Sequence, residues 1–192
     1  MGGDALRVAV DLLHVPSRVR MIRADPLPQG VPLLLRIAAG DREATREAAR
    51  TSDRSLDVVE EAAAFFIEQI LLWPEADSYR VLGASPQATS SELRHNMALL
   101  VKWLHPDMDR QGRQSVFVNR VTMAWDDLKT PERRAAYDQG RRALDARKPA
   151  RGGDGRGRRR SNKPAPRLDR GLQRSDGLLR RVLFFLLGRA RR

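Results

Sequence analysis

The chain has 192 residues, a length that suits one modest domain with appendages or two small domains. It contains no cysteine, which excludes disulfide bonds, thiol catalysis and cysteine-ligated zinc. The net charge of +12 is unevenly distributed along the chain. The last 52 residues hold 18 basic and 4 acidic side chains, whereas the first 140 residues hold 18 basic and 20 acidic side chains. The sequence therefore predicts a nearly neutral folded part and a basic appendage that meets a polyanion.

Residues 1–74 are predicted to form an N-terminal helical module of unknown function. The apolar pattern of its first segment, residues 6–15, fits either a helix or a strand, and the prolines that follow break any longer element. Helices are predicted over residues 30–39 and 42–50, with Asp41 as the capping residue of the second.

The strongest helical pattern of this module begins after Ser55, a typical N-cap residue. Six apolar residues recur with the spacing of one helix face. They are Leu56, Val59, Ala63, Phe66, Ile67 and Ile70. Trp73 and Pro74 are predicted to end this helix, and the short joint after them favours contact between the module and the next region.

Two more amphipathic helices are predicted on either side of a short polar interruption. Their apolar faces are Leu93, Met97, Leu100, Val101 and Leu104 before it, and Val118, Val121, Ala124, Trp125 and Leu128 after it. Ser90 or Ser91 is the predicted N-cap of the first helix, and the second is predicted over residues 114–129. Because Pro106 lacks an N–H group and disfavours the α conformation at the residue before it, the first helix should end by Leu104. The result is a helical hairpin with a histidine and a carboxylate at its tip.

This region resembles the J-domain of the DnaJ co-chaperone family. The resemblance is carried by His105-Pro106-Asp107 between two amphipathic helices, by an aromatic-x-x-Leu-Gly sequence that ends at Gly83, and by a Pro-x-x-Arg-x-x-Tyr-Asp sequence that ends at Asp138. It covers about residues 78–138 and implies a J-domain over residues 75–140. The last part, residues 131–138, is expected to be a short helix that delivers Tyr137 to the hairpin.

The resemblance implies that His105, Pro106 and Asp107 engage a DnaK-type chaperone ATPase and promote its ATP hydrolysis. Asp107 would accept a charge-assisted hydrogen bond from an arginine of that partner. The protein itself is then expected not to be an enzyme, and we expect no metal or other cofactor, since its three histidines lie in separate segments. The alternative for the tripeptide is a helix-stopping proline between ordinary polar residues.

The outward face of the first hairpin helix is the second docking surface that the resemblance implies. Arg94, His95 and Lys102 are the candidate contacts there. Family members usually carry an adjacent basic pair where this chain has Ala98-Leu99, so we expect weaker long-range attraction to an acidic partner. Leu99 and Trp103 either supply apolar contact in place of charge or pack against the N-terminal module.

The C-terminal part is predicted as a disordered basic linker, residues 141–177, followed by a short cationic amphipathic helix, residues 178–192. Three targets are left open: an anionic membrane surface or other docking partner, the protein's own core, and nucleic acid as a weaker candidate. The candidate contact residues are Arg158, Arg159, Arg160, Arg180, Arg181, Phe184 and Phe185.

The sequence thus predicts an all-α protein of the minimal J-protein kind, without the family's glycine/phenylalanine-rich and zinc modules, acting on an unknown client. The alternative keeps the fold and discards ATPase stimulation: a J-like adaptor or regulatory protein, attached by its basic tail to an anionic membrane surface or other polyanion. Neither a secretory signal nor a membrane-spanning apolar run is visible, so we expect a cytoplasmic protein, with the inner face of a membrane as a further candidate location.

Overall fold

A computed structural model describes residues 3–105 and 114–147, and all regular secondary structure within these ranges is helical. Nine α-helices occur there: α1 Gly3–His14, α2 Val19–Ala24, α3 Val31–Ala38, α4 Arg42–Ser52, α5 Leu56–Phe66, α6 Ser78–Val81, α7 Ser90–Trp103, α8 Gln114–Leu128 and α9 Pro131–Arg147. A 3-10 turn, Pro16–Arg18, precedes α2, and a π-helical segment, Ile67–Leu71, continues α5. The all-α prediction is confirmed.

The described residues fall into two compact units. The first contains everything up to Ala135, and the second begins at Ala136, inside α9. Helices from both sides of residue 74 belong to the first unit, so the predicted joint between the N-terminal module and the J-like region does not separate two compact bodies.

Helix α5 is the centre of the N-terminal module, because α1, α3 and α4 all pack against it. Five of the six residues of its predicted apolar stripe are buried, which confirms the helical face. Leu56 is the exception, since its side chain is 45% exposed at the first turn. Burial of this face stabilises the module by roughly 25 cal/mol for each Å² of apolar surface removed from water.

The first part of the chain is more helical than the sequence pattern indicated. Residues 6–15 lie mostly in α1, which buries Leu6, Ala9 and Leu12 and rules out the strand alternative. Helix α2 was not predicted, because the prolines suggested irregular structure. Pro16 instead starts the 3-10 turn that leads into α2, a position where its missing N–H leaves no backbone hydrogen bond unmade.

The predicted caps of α4 and α5 are present. The Asp41 carboxylate accepts hydrogen bonds from the N–H groups of Glu43 at 3.2 Å and Ala44 at 3.1 Å. The Ser55 hydroxyl accepts one from Val58 at 3.4 Å. Both side chains therefore satisfy amide groups that a helix start leaves without an internal partner.

Helix α9 corrects the expected ending of the J-like region. It has 17 residues where a short helix up to residue 138 was predicted, and it runs to Arg147, into the segment predicted as disordered linker. The physical reason is its content of alanine and arginine, which favour helix strongly enough to carry it past Gly140. The remaining tail predictions, for residues 148–192, lie outside the described residues.

Candidate functional site

The start of α7 is held by a capping box. The Glu92 N–H donates to the Thr89 hydroxyl at 3.2 Å, while the Glu92 carboxylate accepts from the Thr89 N–H at 2.6 Å and from its hydroxyl at 2.9 Å. These bonds lower the pKa of Glu92 below its ordinary value, the backbone bond contributing most. The N-cap is therefore Thr89, and the prediction of Ser90 or Ser91 was wrong, because the capping box needs a glutamate three residues after the cap.

The two faces of α7 are clearly divided. The predicted apolar face is buried, with Leu93, Met97 and Leu100 at 1% exposed or less. On the opposite side the candidate docking residues are exposed in the described structure. They are Arg94, His95 and Lys102, together with Ala98. Basic side chains on this face are therefore accessible to a partner.

Leu99 and Trp103, the two large apolar residues beside this face, are half-buried. Helix α3 of the N-terminal module packs against α7, so the module does approach this helix. Each of these two side chains therefore has part of its surface within the protein and part open to a partner. The exposed residues of the face are the ones that a partner meets first.

Helix α7 ends where proline was predicted to end it. Leu104 is the C-cap residue, and its N–H donates to the Leu100 carbonyl at 2.9 Å. The His105 N–H donates to the Lys102 carbonyl at 3.3 Å, and its side chain is half-buried. Pro106 and Asp107 lie outside the described residues. The structure thus gives the position of the first residue of the tripeptide, directly after the helix.

Helix α8 forms the second side of the hairpin and packs against both α7 and α6. It buries Val118, Val121, Ala124 and Leu128 at 8% exposed or less, and Trp125 is half-buried. The predicted face of this helix is therefore confirmed. The joined apolar faces hold α7 in place and with it the position of His105.

A hydrogen-bonded start of the J-like region was not predicted from the sequence. Asn96, only 3% exposed on α7, donates through its amide to the carbonyls of Leu82 at 3.0 Å and Gly83 at 3.3 Å. Its sequence signal is a polar residue at a position of the buried helix face. Ser78 in α6 adds a bond to the Asp127 carboxylate of α8 at 2.7 Å. These polar bonds fix the start of the domain against both helices of the hairpin.

The arginine of the Pro-x-x-Arg-x-x-Tyr-Asp sequence also has a structural role that was missed. Arg134 donates to the Tyr79 hydroxyl at 2.9 Å and to the Pro86 carbonyl at 2.7 Å, and its guanidinium lies 5.3 Å from the centre of the Tyr79 ring. Tyr79 is 1% exposed. Arg134 therefore ties the start of α9 to α6 and to the loop before α7.

Two further arginines join the J-like region to the N-terminal module. Arg80 donates to the carbonyls of Ile22, at 3.5 Å, and of Asp25. Arg120 of α8 donates to the Leu72 carbonyl at 2.9 Å, at the end of the π-helical segment. The predicted contact between the two regions is thus present, and it is made through directional bonds as well as apolar packing.

No group of histidine and acidic side chains in residues 3–105 and 114–147 has the arrangement of a metal site. None of the helices that the structure describes is both long and apolar enough to cross a membrane. The seven candidate tail residues, from Arg158 to Phe185, lie outside the described part of the chain.

Comparisons with known proteins match the same segment of the chain that contains this helical hairpin. The family model of the DnaJ domain matches residues 77–138. The chaperone protein DnaJ of Leifsonia xyli subsp. xyli is 37% identical over 65 residues, which cover 34% of this chain and 18% of that protein. The DnaJ proteins of Listeria monocytogenes serotype 4b and Latilactobacillus sakei are 33% and 36% identical over 63 residues, or 33% of this chain and 17% and 16% of theirs. No solved structure gives a significant match.

The chain spans less than a fifth of the length of these relatives, and the likeness is confined to the segment that contains α6, α7 and α8. Within that segment the capped α7, the buried faces of the hairpin and the family model all point to the same fold. This chain therefore carries a DnaJ domain, the J-domain, at residues 77–138.

Proposed function

We propose that this protein is a J-domain co-chaperone, which docks on a DnaK-type chaperone ATPase through His105, Pro106 and Asp107 and stimulates ATP hydrolysis by that partner. The observation that carries the proposal is the place of His105 directly after the C-cap of a rigidly held α7, within a segment that matches the DnaJ domain. Hydrolysis then takes place in the partner, and the J-domain protein is not itself an enzyme. The cytoplasm, where such an ATPase is met, is its proposed location.

Each residue of the tripeptide has a distinct part in this proposal. Asp107 offers a carboxylate to an arginine of the ATPase, a pair that is stronger than a neutral hydrogen bond because both groups are charged. Pro106 restricts the backbone after α7 and so limits the directions in which its neighbours extend. His105 supplies ring nitrogens that donate and accept hydrogen bonds at the edge of the contact.

The exposed basic residues of α7 contribute to the encounter. Arg94 and Lys102 attract an acidic surface of the ATPase over a distance and raise the association rate. Ala98 is exposed at a position where the resemblance implies a basic residue, so this attraction is weaker than in a family member with the full basic pair. Ala98→Lys should therefore strengthen coupling to the ATPase, most clearly at low salt.

The direct test is single-turnover ATP hydrolysis by a DnaK-type ATPase with the wild-type protein, His105→Gln and Asp107→Asn. We expect stimulation by the wild type and loss of most of it in both variants. His14→Gln is the matched control, because it makes the same chemical change in an exposed histidine on α1. Equal stimulation by wild type and His105→Gln would refute the role of the loop.

A second candidate function is favoured by the missing basic pair and by the basic C-terminal part: a J-like adaptor held at an anionic membrane surface or other polyanion. Under this proposal Ala98→Lys has no effect on ATP hydrolysis. Sedimentation with vesicles rich in phosphatidylserine should be lost when the chain is cut after Gly177. Vesicle binding that survives the truncation would show that the tail is not the membrane-binding segment. Stimulation of ATP hydrolysis in the partner would favour the co-chaperone function over the adaptor function.

A further inference from the structure

A second charged surface lies in the N-terminal module, outside the J-domain. The end of α4 and the start of α5 border a surface depression of about 600 Å³. Its lining consists of Arg46, Ala49, Arg50, Asp53, Arg54 and Leu56. Three arginines therefore border one shallow depression, and none of the three belongs to the docking site described above.

The backbone explains why the three arginines meet. Arg46 and Arg50 are four residues apart on α4, so they lie on the same helix face. Helix α4 ends at Ser52, and Asp53 adopts a left-handed conformation with φ of 52°. The Arg54 N–H then donates to the Ala49 carbonyl at 3.1 Å. This turn brings the third arginine back to the face that carries the first two.

The three guanidinium groups have no hydrogen-bond or ion-pair partner within the part of the chain that the structure describes. By contrast, Arg36 of the neighbouring α3 donates to the Asp41 carboxylate at 2.8 Å. Like charges four residues apart weaken a helix, so grouping these arginines does not serve the stability of α4. The helix dipole favours a cation in the last turn, which accounts for Arg50 but not for Arg46, one turn earlier.

The surrounding charges restrict what can bind. Residues 42–57 contain four arginines and four carboxylates, so the surface has no net positive charge to hold an extended polyanion such as nucleic acid or a membrane. Asp53 lines the depression and would repel a continuous row of phosphates. Within the lining itself three arginines face one carboxylate, so a short ligand confined to the depression meets a net positive charge.

The apolar part of the lining adds a second requirement. Leu56 is a large apolar side chain that remains 45% exposed at the start of α5, next to the nearly buried Ala49. A ligand with carboxylates and an apolar side chain would cover Leu56 while its carboxylates pair with the forked guanidinium donors. Peptides combine these two properties along a single chain.

We propose that this depression binds an acidic peptide segment of a protein partner, with carboxylates on Arg46, Arg50 and Arg54 and an apolar side chain on Leu56. Such a site gives the N-terminal module a recognition role of its own. It acts independently of the His105 loop, so it stands whether or not the J-domain stimulates an ATPase.

The test is a methyl NMR titration of the full chain with a short synthetic peptide of aspartate and glutamate around a central leucine. The methyl signals of Ala49 and Leu56 report this depression alone, which separates it from peptide bound to the basic tail. We expect these signals to shift saturably and the methyl signal of Met123, exposed on α8, to stay in place. Arg50→Gln should raise the dissociation constant, as read from the Leu56 signals, by about tenfold.

Arg42→Gln is the matched control, because Arg42 is an exposed arginine of α4 outside the lining of the depression. It should leave the affinity within about twofold. Arg50→Lys keeps the charge and removes the paired donors, so an intermediate loss supports carboxylate recognition. His105→Gln should bind the peptide as the wild type does, which separates this proposal from the J-domain function.

Three results would overturn the proposal. The first is absence of a saturable shift at Ala49 and Leu56. The second is a loss of peptide affinity with Arg42→Gln equal to the loss with Arg50→Gln, which would indicate general charge attraction. The third is a larger Arg50-dependent shift with a single-stranded oligonucleotide or with phosphatidylserine vesicles than with the peptide. A circular dichroism melt of each variant verifies that these exposed substitutions leave the fold intact.

Discussion

The N-terminal module and the J-domain are both helical, yet they are held together in different ways. The interior of the module is almost wholly apolar, with Phe66, Ile70 and Leu71 fully buried, and Thr45 is its buried polar residue among those the structure describes. The J-domain buries Ser78 and Asn96 and uses both in hydrogen bonds to neighbouring elements. Apolar burial has no direction, whereas hydrogen bonds require fixed geometry.

This difference shows where each region needs precision. The module supports α7 through α3, and its buried apolar residues stabilise its own fold. Under the proposed function, the J-domain has to hold the end of α7 in one position, because His105 follows the C-cap of that helix. Directional bonds around Gly83 and Tyr79 give that accuracy, and the module supplies much of the buried apolar surface behind them.

The largest expected effect tests the apolar side of this comparison. Phe66→Ala should lower the free energy of unfolding by about 3–5 kcal/mol, because it leaves a cavity at a fully buried site. Urea denaturation followed by circular dichroism should show one transition for α1 to α8, since these helices of both regions belong to one compact unit. Leu56→Ala, at an exposed position of α5, should cost less than about 1 kcal/mol. A separate unfolding transition for each region would contradict the prediction that the two regions unfold together.

The second prediction acts where the two regions touch. Gly83 has a φ of +60°, and a Cβ there would lie 2.9 Å from Cγ1 of Val31 in α3. Gly83→Ala should therefore cost about 2 kcal/mol through backbone strain and steric contact. The double variant with Val31→Ala should cost less than the sum of the two single changes, because the contact is relieved.

The control for this glycine is Gly140, where a Cβ would meet nothing within 4 Å. Since this residue lies inside α9, Gly140→Ala should stabilise the helix by up to about 1 kcal/mol. Equal effects of the two substitutions in thermal melts would show that the close approach at Gly83 is unimportant.

The third prediction tests the directional bonds of the J-domain. Asn96→Ala removes the amide that donates to the Leu82 and Gly83 carbonyls and should cost about 1–3 kcal/mol, because buried acceptors lose their donor. Asn119→Ala, at an exposed position of α8, should change stability by less than about 0.5 kcal/mol. Chemical denaturation at equal protein concentration gives both values. Similar results for the two variants would refute a special role for Asn96.

The smallest effect concerns the start of α7 and depends on pH. Bonds from Thr89 lower the pKa of Glu92 in the folded state below its ordinary value of 4.5. The contribution to stability is therefore present above that value and is lost as the pH falls through the folded-state pKa. Glu92→Gln should be less stable than the wild type at neutral pH and should converge with it in acid. Parallel stability curves for the two proteins would contradict this linkage.

The amino-acid sequence alone determined most of the helices and the location of the candidate site. Apolar periodicity predicted α5, α7 and α8, and Pro106 predicted the end of α7, because these signals depend on residues close together in the chain. The cap at Thr89 was not predicted, although Glu92, its partner in the capping box, stands three residues later in the sequence. The length of α9 was not predicted, because the linker was placed from residue 141, whereas alanine and arginine favour a helix up to Arg147.

Only the tertiary structure decided how these elements meet. The bonds of Asn96 to the Leu82 and Gly83 carbonyls, and of Arg134 to Tyr79, join residues 13 to 55 positions apart in sequence. The arginine-lined depression likewise depends on a left-handed residue, Asp53, that turns the chain back on itself. Sequence patterns report which face of a helix is apolar, but contacts between distant residues depend on how those faces pack, and that is decided when the whole chain folds.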